Sequence, residues 1–214
     1  MSNTIIKYLD WGKTDYGKAW EMQQEIFNRQ VESKTAKLPT ENHLIFVEHP
    51  HVYTLGKSGD QQNLLISDEM MKKIEATYYK VDRGGDITYH GPGQIVGYPI
   101  FDLEAMNVSY KGYIDALESA IINYLKSAHQ INCFQLDGAT GVWLNTKNGP
   151  EKICAIGTRA SRYITMHGFA FNINTDLRYF EYINPCGFRD KGVTSLQKIE
   201  GKKCDYEEEK RILR

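Results

Sequence analysis

In the stretch Thr77–Phe101, TYYKVDRGGDITYHGPGQIVGYPIF, two runs of strand-forming residues are joined by glycine and not by a helix. Thr77–Val81 is β-branched and aromatic, and Ile95–Phe101 is a second apolar run of strand length. Between them, Arg83–Gln94 carries Gly84, Gly85, Gly91 and Gly93 around Thr88-Tyr89-His90. Outward from this stretch the same economy of helices holds. Upstream, Ile5–Leu9, His43–Glu48 and Val52–Leu55 read as strands, with Val52–Leu55 either a continuation of its predecessor or a short partner. Ala19, Trp20, Gln23, Ile26, Phe27 and Val31 recur at helical spacing from Tyr16, and Lys34–Asn42 and Gly56–Asn63 read as polar loops. Downstream, Tyr110–Ala128 is the strongest amphipathic helix. Gly141–Asn145, Lys152–Thr158 and Gly168–Ile173 are strands, a short helix lies near Asp176–Tyr179, and Cys204–Arg214 reads as the start of a helix. Strands outnumber helices and are not interleaved with them one for one. The expected architecture is α/β of the α+β kind: a mixed, largely antiparallel sheet flanked by helices. No composition shift divides the chain, so residues 1–214 are read as one domain, with the order of the tail after about residue 198 left open.

The chain has 214 residues, 41% hydrophobic and 25% charged, the composition of an ordinary globular protein. Its 26 basic and 27 acidic side chains leave a formal net charge of -1, which argues against a nucleic-acid binder. No apolar run reaches transmembrane length, so no membrane partner is expected. Met1-Ser2-Asn3-Thr4 does not open a signal peptide, and the expected location is cytoplasmic. Cys133, Cys154, Cys186 and Cys204 form no C-x-x-C pair and are read as free thiols.

Two features carry chemistry. The glycine-rich stretch lets a ligand lie against main chain, although a decorated hairpin loop is the plainer reading of any one glycine pair. It is neither G-x-G-x-x-G, because Gly97 comes one residue too late, nor a P-loop, because His51 stands where Leu55-Gly56-Lys57-Ser58 would need its first glycine. The second feature is Asn184-Pro185-Cys186-Gly187, a turn that leaves the sulfur of Cys186 reachable. A tight turn alone explains the Pro and the Gly without chemistry. If one cysteine is a nucleophile it is Cys186, since Cys133 and Cys154 sit in apolar strands. A thiolate needs a nearby cation, for which Lys152, His90 and His167 are candidates. By spacing alone, Lys152 is better read as a solvated residue after a turn, and His167 is as well read as a structural histidine. His43, His49 and His51 show no metal-binding spacing, and no metal site is expected. Arg159 and Arg162 mark a basic spot, by default a solvated face.

Together these residues resemble the lipoyl(octanoyl) transferases of lipoate biosynthesis. The resemblance rests on Arg83-Gly84-Gly85-x-x-Thr88-Tyr89-His90-Gly91-Pro92-Gly93-Gln94, on Glu48-His49-Pro50-His51-Val52-Tyr53-Thr54-Leu55-Gly56, on Lys152-Ile153-x-Ala155-Ile156-Gly157, on His167-Gly168-Phe169-Ala170-x-Asn172, and on Asn184-Pro185-Cys186-Gly187. It spans about Lys7 to Leu196, with His51 where a second proline is common. It implies the fold of the biotin and lipoate protein ligases. It implies an acyltransferase that moves an octanoyl group from octanoyl-acyl carrier protein to a lysine ε-amine on apo lipoyl domains. These would be the domains of 2-oxoacid dehydrogenase complexes and the glycine cleavage H protein. Cys186 would form the thioester acyl-enzyme, and Lys152 would lower its pKa and shuttle protons. Arg83, Gly84, Gly85, Asp86, Ile87, Thr88, Tyr89, His90, Ala155, Ile156, Gly157, Gly168, Phe169 and Ala170 would line the acyl pocket. No cofactor is implied. An ATP-dependent lipoate–protein ligase of the same fold would not need Cys186. A non-catalytic acyl- or lipoyl-domain-binding module would need neither Cys186 nor Lys152, and a cysteine protease would need a Cys–His pair that nothing here orients.

Overall fold

The structure, a computed structural model, describes residues 5–184 and 192–214. In chain order the elements are β1 (Ile6–Lys13), α1 (Tyr16–Thr35), β2 (Asn42–Glu48), β3 (Val52–Leu55), α2 (Asp68–Lys73), β4 (Thr77–Lys80), β5 (Ile87–His90) and β6 (Gln94–Ile100). There follow α3 (Tyr110–His129), β7 (Phe134–Gln135), β8 (Val142–Thr146), β9 (Gly149–Ser161), β10 (Ile164–Asn172), β11 (Gly192–Val193), α4 (Leu196–Glu200) and α5 (Tyr206–Leu213). The larger sheet runs β1-β2-β6-β10-β9-β8-β7, parallel only between β1 and β2 along that path. β9 extends beyond β10, and there β11 pairs in parallel with Glu151 and Lys152. A second sheet, β4-β3-β5, is parallel between β3 and β4 and antiparallel between β3 and β5.

The period-two alternation of the central strands sorts the core onto two faces. Phe46, Ile95, Phe169, Phe171 and Ile153 pack with Ile121, Tyr124 and Leu125 of α3. Ile45, Val47, Val96, Tyr98, Met166 and Ala170 pack with Phe27 of α1. Each long helix is capped by the residue before it: Asp15 accepts from Lys18 N–H and Ser109 from Gly112 N–H. Among the described residues no helix is long and apolar enough to cross a membrane.

The mixed, largely antiparallel arrangement matches the sequence expectation, with differences in detail. The strand read at Thr77–Val81 and the one at Ile95–Phe101 belong to different sheets. The glycine-rich stretch between them contains a strand of its own: Ile87-Thr88-Tyr89-His90 lies along β3, with Tyr53 opposite Tyr89 and Val52 opposite His90. The β-branched and aromatic residues favour the pleat, and the glycines bound it on both sides. Val52–Leu55 is thus the centre of the smaller sheet and not a continuation of β2. The helix α1 runs on to Thr35 before the expected loop begins. Two short helices escaped the periodic pattern, α2 and α4, each capped by a serine, Ser67 and Ser195. The charged tail is ordered as α5, with Glu209 buried against α3.

Candidate active site

The segment after β4 turns back over the larger sheet. Gly84 N–H donates to Thr158 O at 2.9 Å, bolting the stretch to β9. A Cβ at Gly157 would stand 3.0 Å from Gly84 O, so glycine on β9 is what allows this approach. The Arg83 guanidinium is buried. Its Nη2 donates to Thr54 O at 2.6 Å and Thr54 Oγ1 at 2.9 Å, and its Nη1 to Gly84 O at 2.9 Å. Gly56, Lys57 and Ser58 donate their N–H groups to the carbonyls of Asp86, Arg83 and Gly85. The sequence that imitates the end of a P-loop therefore spends its amides on protein carbonyls and makes no phosphate cradle.

Between this stretch and β6, β10 and β9 lies a cavity of about 470 Å³. That is the size range of small-molecule sites, about 300–1,000 Å³. Its wall includes Arg83, Gly84, Gly85, Asp86, Ile87, Thr88 and His90 from the glycine-rich stretch, Ala155, Ile156 and Gly157 from β9, and Gly168, Phe169 and Ala170 from β10. Tyr89 is the correction to the expected set. Strand alternation sends it to the opposite face from His90, where its ring stacks on Tyr179 at 4.9 Å and its hydroxyl meets His51 Nδ1 at 2.7 Å.

His90 is fixed in one tautomer. Gln94 Nε2 donates to Tyr89 O and to Asn172 Oδ1, so Gln94 Oε1 accepts from His90 Nδ1–H at 2.9 Å. Thr54 Oγ1, which accepts from Arg83, is left to donate to His90 Nε2 at 3.4 Å. Burial, with His49 and Arg83 near, pushes His90 down to about 3. His167 sits at φ +60, just before Gly168, whose backbone approaches Gly97 O and Pro99 closely; this is the left-handed region that histidine tolerates better than most residues. Its Nε2 bonds Asp82 Oδ1 at 2.7 Å, and Asp82 also pairs with Arg159. Burial, then Arg83 and Arg159, push His167 down to about 3. Burial thus pushes both rings toward the neutral form and away from the role of cation, while His167 keeps the Asp82 carboxylate as its partner. Arg159, engaged by Asp82 and stacked on Phe27 at 4.6 Å, is not the solvated basic spot of the default reading.

Lys152 also lines the cavity. Its Nζ donates to Thr140 O at 3.0 Å and lies 4.7 Å from the centroid of the Trp143 ring. The backbone of Lys152 is clasped by the chain that follows Lys191: Val193 pairs with it and Thr194 N–H donates to its carbonyl at 2.9 Å. The described cysteines are poor thiolates. Burial pushes Cys154 far up, Cys133 to about 11, and Cys204 upward. Cys186 lies outside the described residues, and Asn184 on its near side donates its N–H to Asn63 O at 2.8 Å. Several residues of the wall went unread as such in the sequence, among them Trp143, Thr140, Tyr110 and Phe180. A carbonyl acceptor such as Thr140 has no sequence signature at all. Trp143 had one available signal, its place two residues after Gly141 in an apolar strand.

Residues 15–214 match the lipoyl protein ligase A/B catalytic domain family. The chain is 52% identical over 205 residues to an octanoyltransferase of Bacteroides fragilis (strain YCH46), covering 95% of this chain and 92% of the relative. Among solved structures it is similar to P. falciparum LipL1 in complex with lipoate, with a TM-score of 0.73 at 14% identity, covering 98% of this chain and 60% of that one. It is also similar to lipoate-protein ligase A bound with ATP, with a TM-score of 0.68 at 14% identity, covering 98% and 83%. The fold is that of the biotin and lipoate protein ligases.

Proposed function

The chain belongs to the lipoyl protein ligase A/B catalytic domain family and is an acyltransferase of octanoyl transfer in lipoylation, and from that premise we propose its donor, acceptor and intermediate. The donor is octanoyl-acyl carrier protein. The acceptor is the ε-amine of a specific lysine on an apo lipoyl domain, and the intermediate is a thioester on Cys186. Residues 1–214 act as one catalytic unit, in the cytoplasm. What carries the reading is Lys152 at the wall of a cavity floored by apolar strand residues and roofed by the glycine-rich stretch. Of the three cations the sequence offered, burial pushes His90 and His167 toward the neutral form, which supports Lys152. Burial pushes the three described cysteines toward the thiol, which supports Cys186, the nucleophile that the resemblance implies.

The Cys186 thiolate attacks the donor thioester carbonyl, and the tetrahedral adduct expels the carrier's thiolate, which takes a proton from Lys152. The acceptor amine then attacks the acyl-Cys186 carbonyl, gives up its proton to Lys152, and expels the Cys186 thiolate. The cavity retains the chain between the steps, each buried methylene contributing about 0.8 kcal/mol. Intact-mass spectrometry after mixing the protein with octanoyl-acyl carrier protein, without ATP, tests this. One octanoyl group on the Cys186 peptide, discharged on adding an apo lipoyl domain, is the expected result. No adduct, with acceptor octanoylation only from free octanoate and ATP, would make the protein a ligase.

A further inference from the structure

We propose that Trp143, backed by Glu118, is a positioning residue that fixes the ammonium of Lys152, an inference that rests on the acyl-transfer role of Lys152 proposed above. Trp143 and Lys152 are cross-strand partners on β8 and β9. The lysine stem runs past Gly141, where φ is +129 and a Cβ would stand 3.2 Å from Lys152 Cδ and Cε and 2.6 Å from Cys154 O. Only glycine leaves that path open. The stem ends with Nζ over the indole, 4.7 Å from its centroid, and 3.0 Å from Thr140 O.

The turn that presents this carbonyl is strapped on both sides. Trp143 Nε1–H donates to Ala139 O at 2.8 Å, and the buried Glu118 carboxylate of α3 accepts Gly141 N–H at 2.7 Å. The indole therefore acts twice, as a π face beneath the ammonium and as the tie that aims its carbonyl partner. A carbonyl and a ring face hold an ammonium without taking its charge. Among the described residues, the charged and titratable groups on the elements around this cradle include Glu118 from α3, Glu151 from β9, Lys198 from α4 and the Cys154 thiol. Glu151 is paired with Lys198 at 2.8 Å.

The test joins steady-state kinetics with the pH profile of iodoacetamide alkylation at Cys186. Trp143→Leu is expected to lower kcat roughly tenfold, the scale of a small misplacement, with the carrier KM little changed. It should also move the alkylation midpoint to higher pH. Trp143→Phe, which keeps a ring face but loses the Nε1–H tie to Ala139 O, should recover only part of the loss. Glu118→Gln, which keeps an acceptor for Gly141 N–H, should behave as wild type, whereas Glu118→Leu should follow Trp143→Leu. A readout on the wild-type enzyme holds even if Trp143→Leu does not fold. The ε-methylene protons of Lys152, assigned by their loss in Lys152→Arg, should resonate upfield through the indole ring current. Unshifted ε-methylene protons, or a Trp143→Leu enzyme with wild-type kcat and midpoint while Lys152→Met is inactive, would overturn the proposal. A fully active Lys152→Met would instead remove the reading on which it rests.

Discussion

His49, His90 and His167 are buried, and burial pushes them down to about 4, 3 and 3. His49 is also bonded on both nitrogens, to Thr14 O at 2.7 Å and Tyr98 OH at 2.6 Å. In the unfolded chain each ring takes its proton near pH 6.5. Below that pH the unfolded state binds more protons than the folded one, so stability is fully present above about 6.5 and falls as pH falls toward the folded values. Each histidine contributes a slope approaching about 1.4 kcal/mol per pH unit in that window. Urea unfolding should give nearly equal free energies at about pH 8.5 and 7.5, one about 1 kcal/mol lower at pH 6.5 and a much lower one near pH 5. His90→Gln should remove the share of that slope that His90 contributes, with His43 and His51, which burial also pushes down, adding to the remainder. A profile flat to pH 5 would mean that the rings are protonated in the folded state, which would restore them as candidate cations.

The glycine-rich stretch and the Gly56–Ser58 turn form one element, because each is the other's hydrogen-bond partner. A Cβ at Gly56 would stand 2.2 Å from Gly85 O and 2.8 Å from Arg83 Nη1, and neither neighbour is a free side-chain end. Gly56→Ala should therefore destabilise the fold by about 2 kcal/mol, in the range of overpacking, and lower acyl transfer with it. Chemical denaturation and octanoyl transfer measured on one preparation would check this, and wild-type values for both would refute it. The glycine stretch was legible in the sequence as a ligand-facing loop, but the strand inside it was not. Its partner Val52–Leu55 lies far upstream, and no local pattern reports such a pairing. The same limit explains Tyr89: its motif marked it, but only the β3–β5 register shows that it faces the stack with Tyr179 and not the cavity. The helices α1 and α3 were legible because their apolar faces recur over 20 residues each. The one-turn helices α2 and α4 bury a single residue apiece, Met71 and Leu196, and leave no period to read.

At the scale of the molecule, the C-terminal helix closes the face of the larger sheet opposite α1. Tyr206 and Leu213 pack on the cluster formed by Phe46, Ile95, Tyr124 and Phe171. Glu209 accepts from Tyr124 OH and pairs with His129 at 2.9 Å, and His129 lies 3.4 Å from Glu200 of α4. Asn174 exchanges two hydrogen bonds with the backbone of Cys204, both of 2.9 Å. Tyr206 OH reaches Gln94 O at 3.3 Å, and Gln94 is the residue whose side chain ties His90 to Asn172. Asn172 in turn donates to Thr194 O, two residues beyond Gly192 and beside the Lys152 strand. The helix is thus continuous with the polar chain under the cavity and is not an appendage. Its acidic first turn, Glu207 to Glu209, and basic last turn, Lys210 and Arg211, also complement its dipole. Removing residues 205–214 exposes two apolar side chains' worth of partly buried surface, a loss of about 3 kcal/mol. For a chain of this size that corresponds to a Tm lower by about 6–12 °C. Because the deletion also frees Gln94 O, transfer should fall even at temperatures where the shortened protein remains folded. A calorimetric scan with activity measured well below the lowered Tm separates the two effects. An unchanged Tm would refute the packing argument, and a lowered Tm with full activity would refute the link from α5 through Gln94 to the cavity.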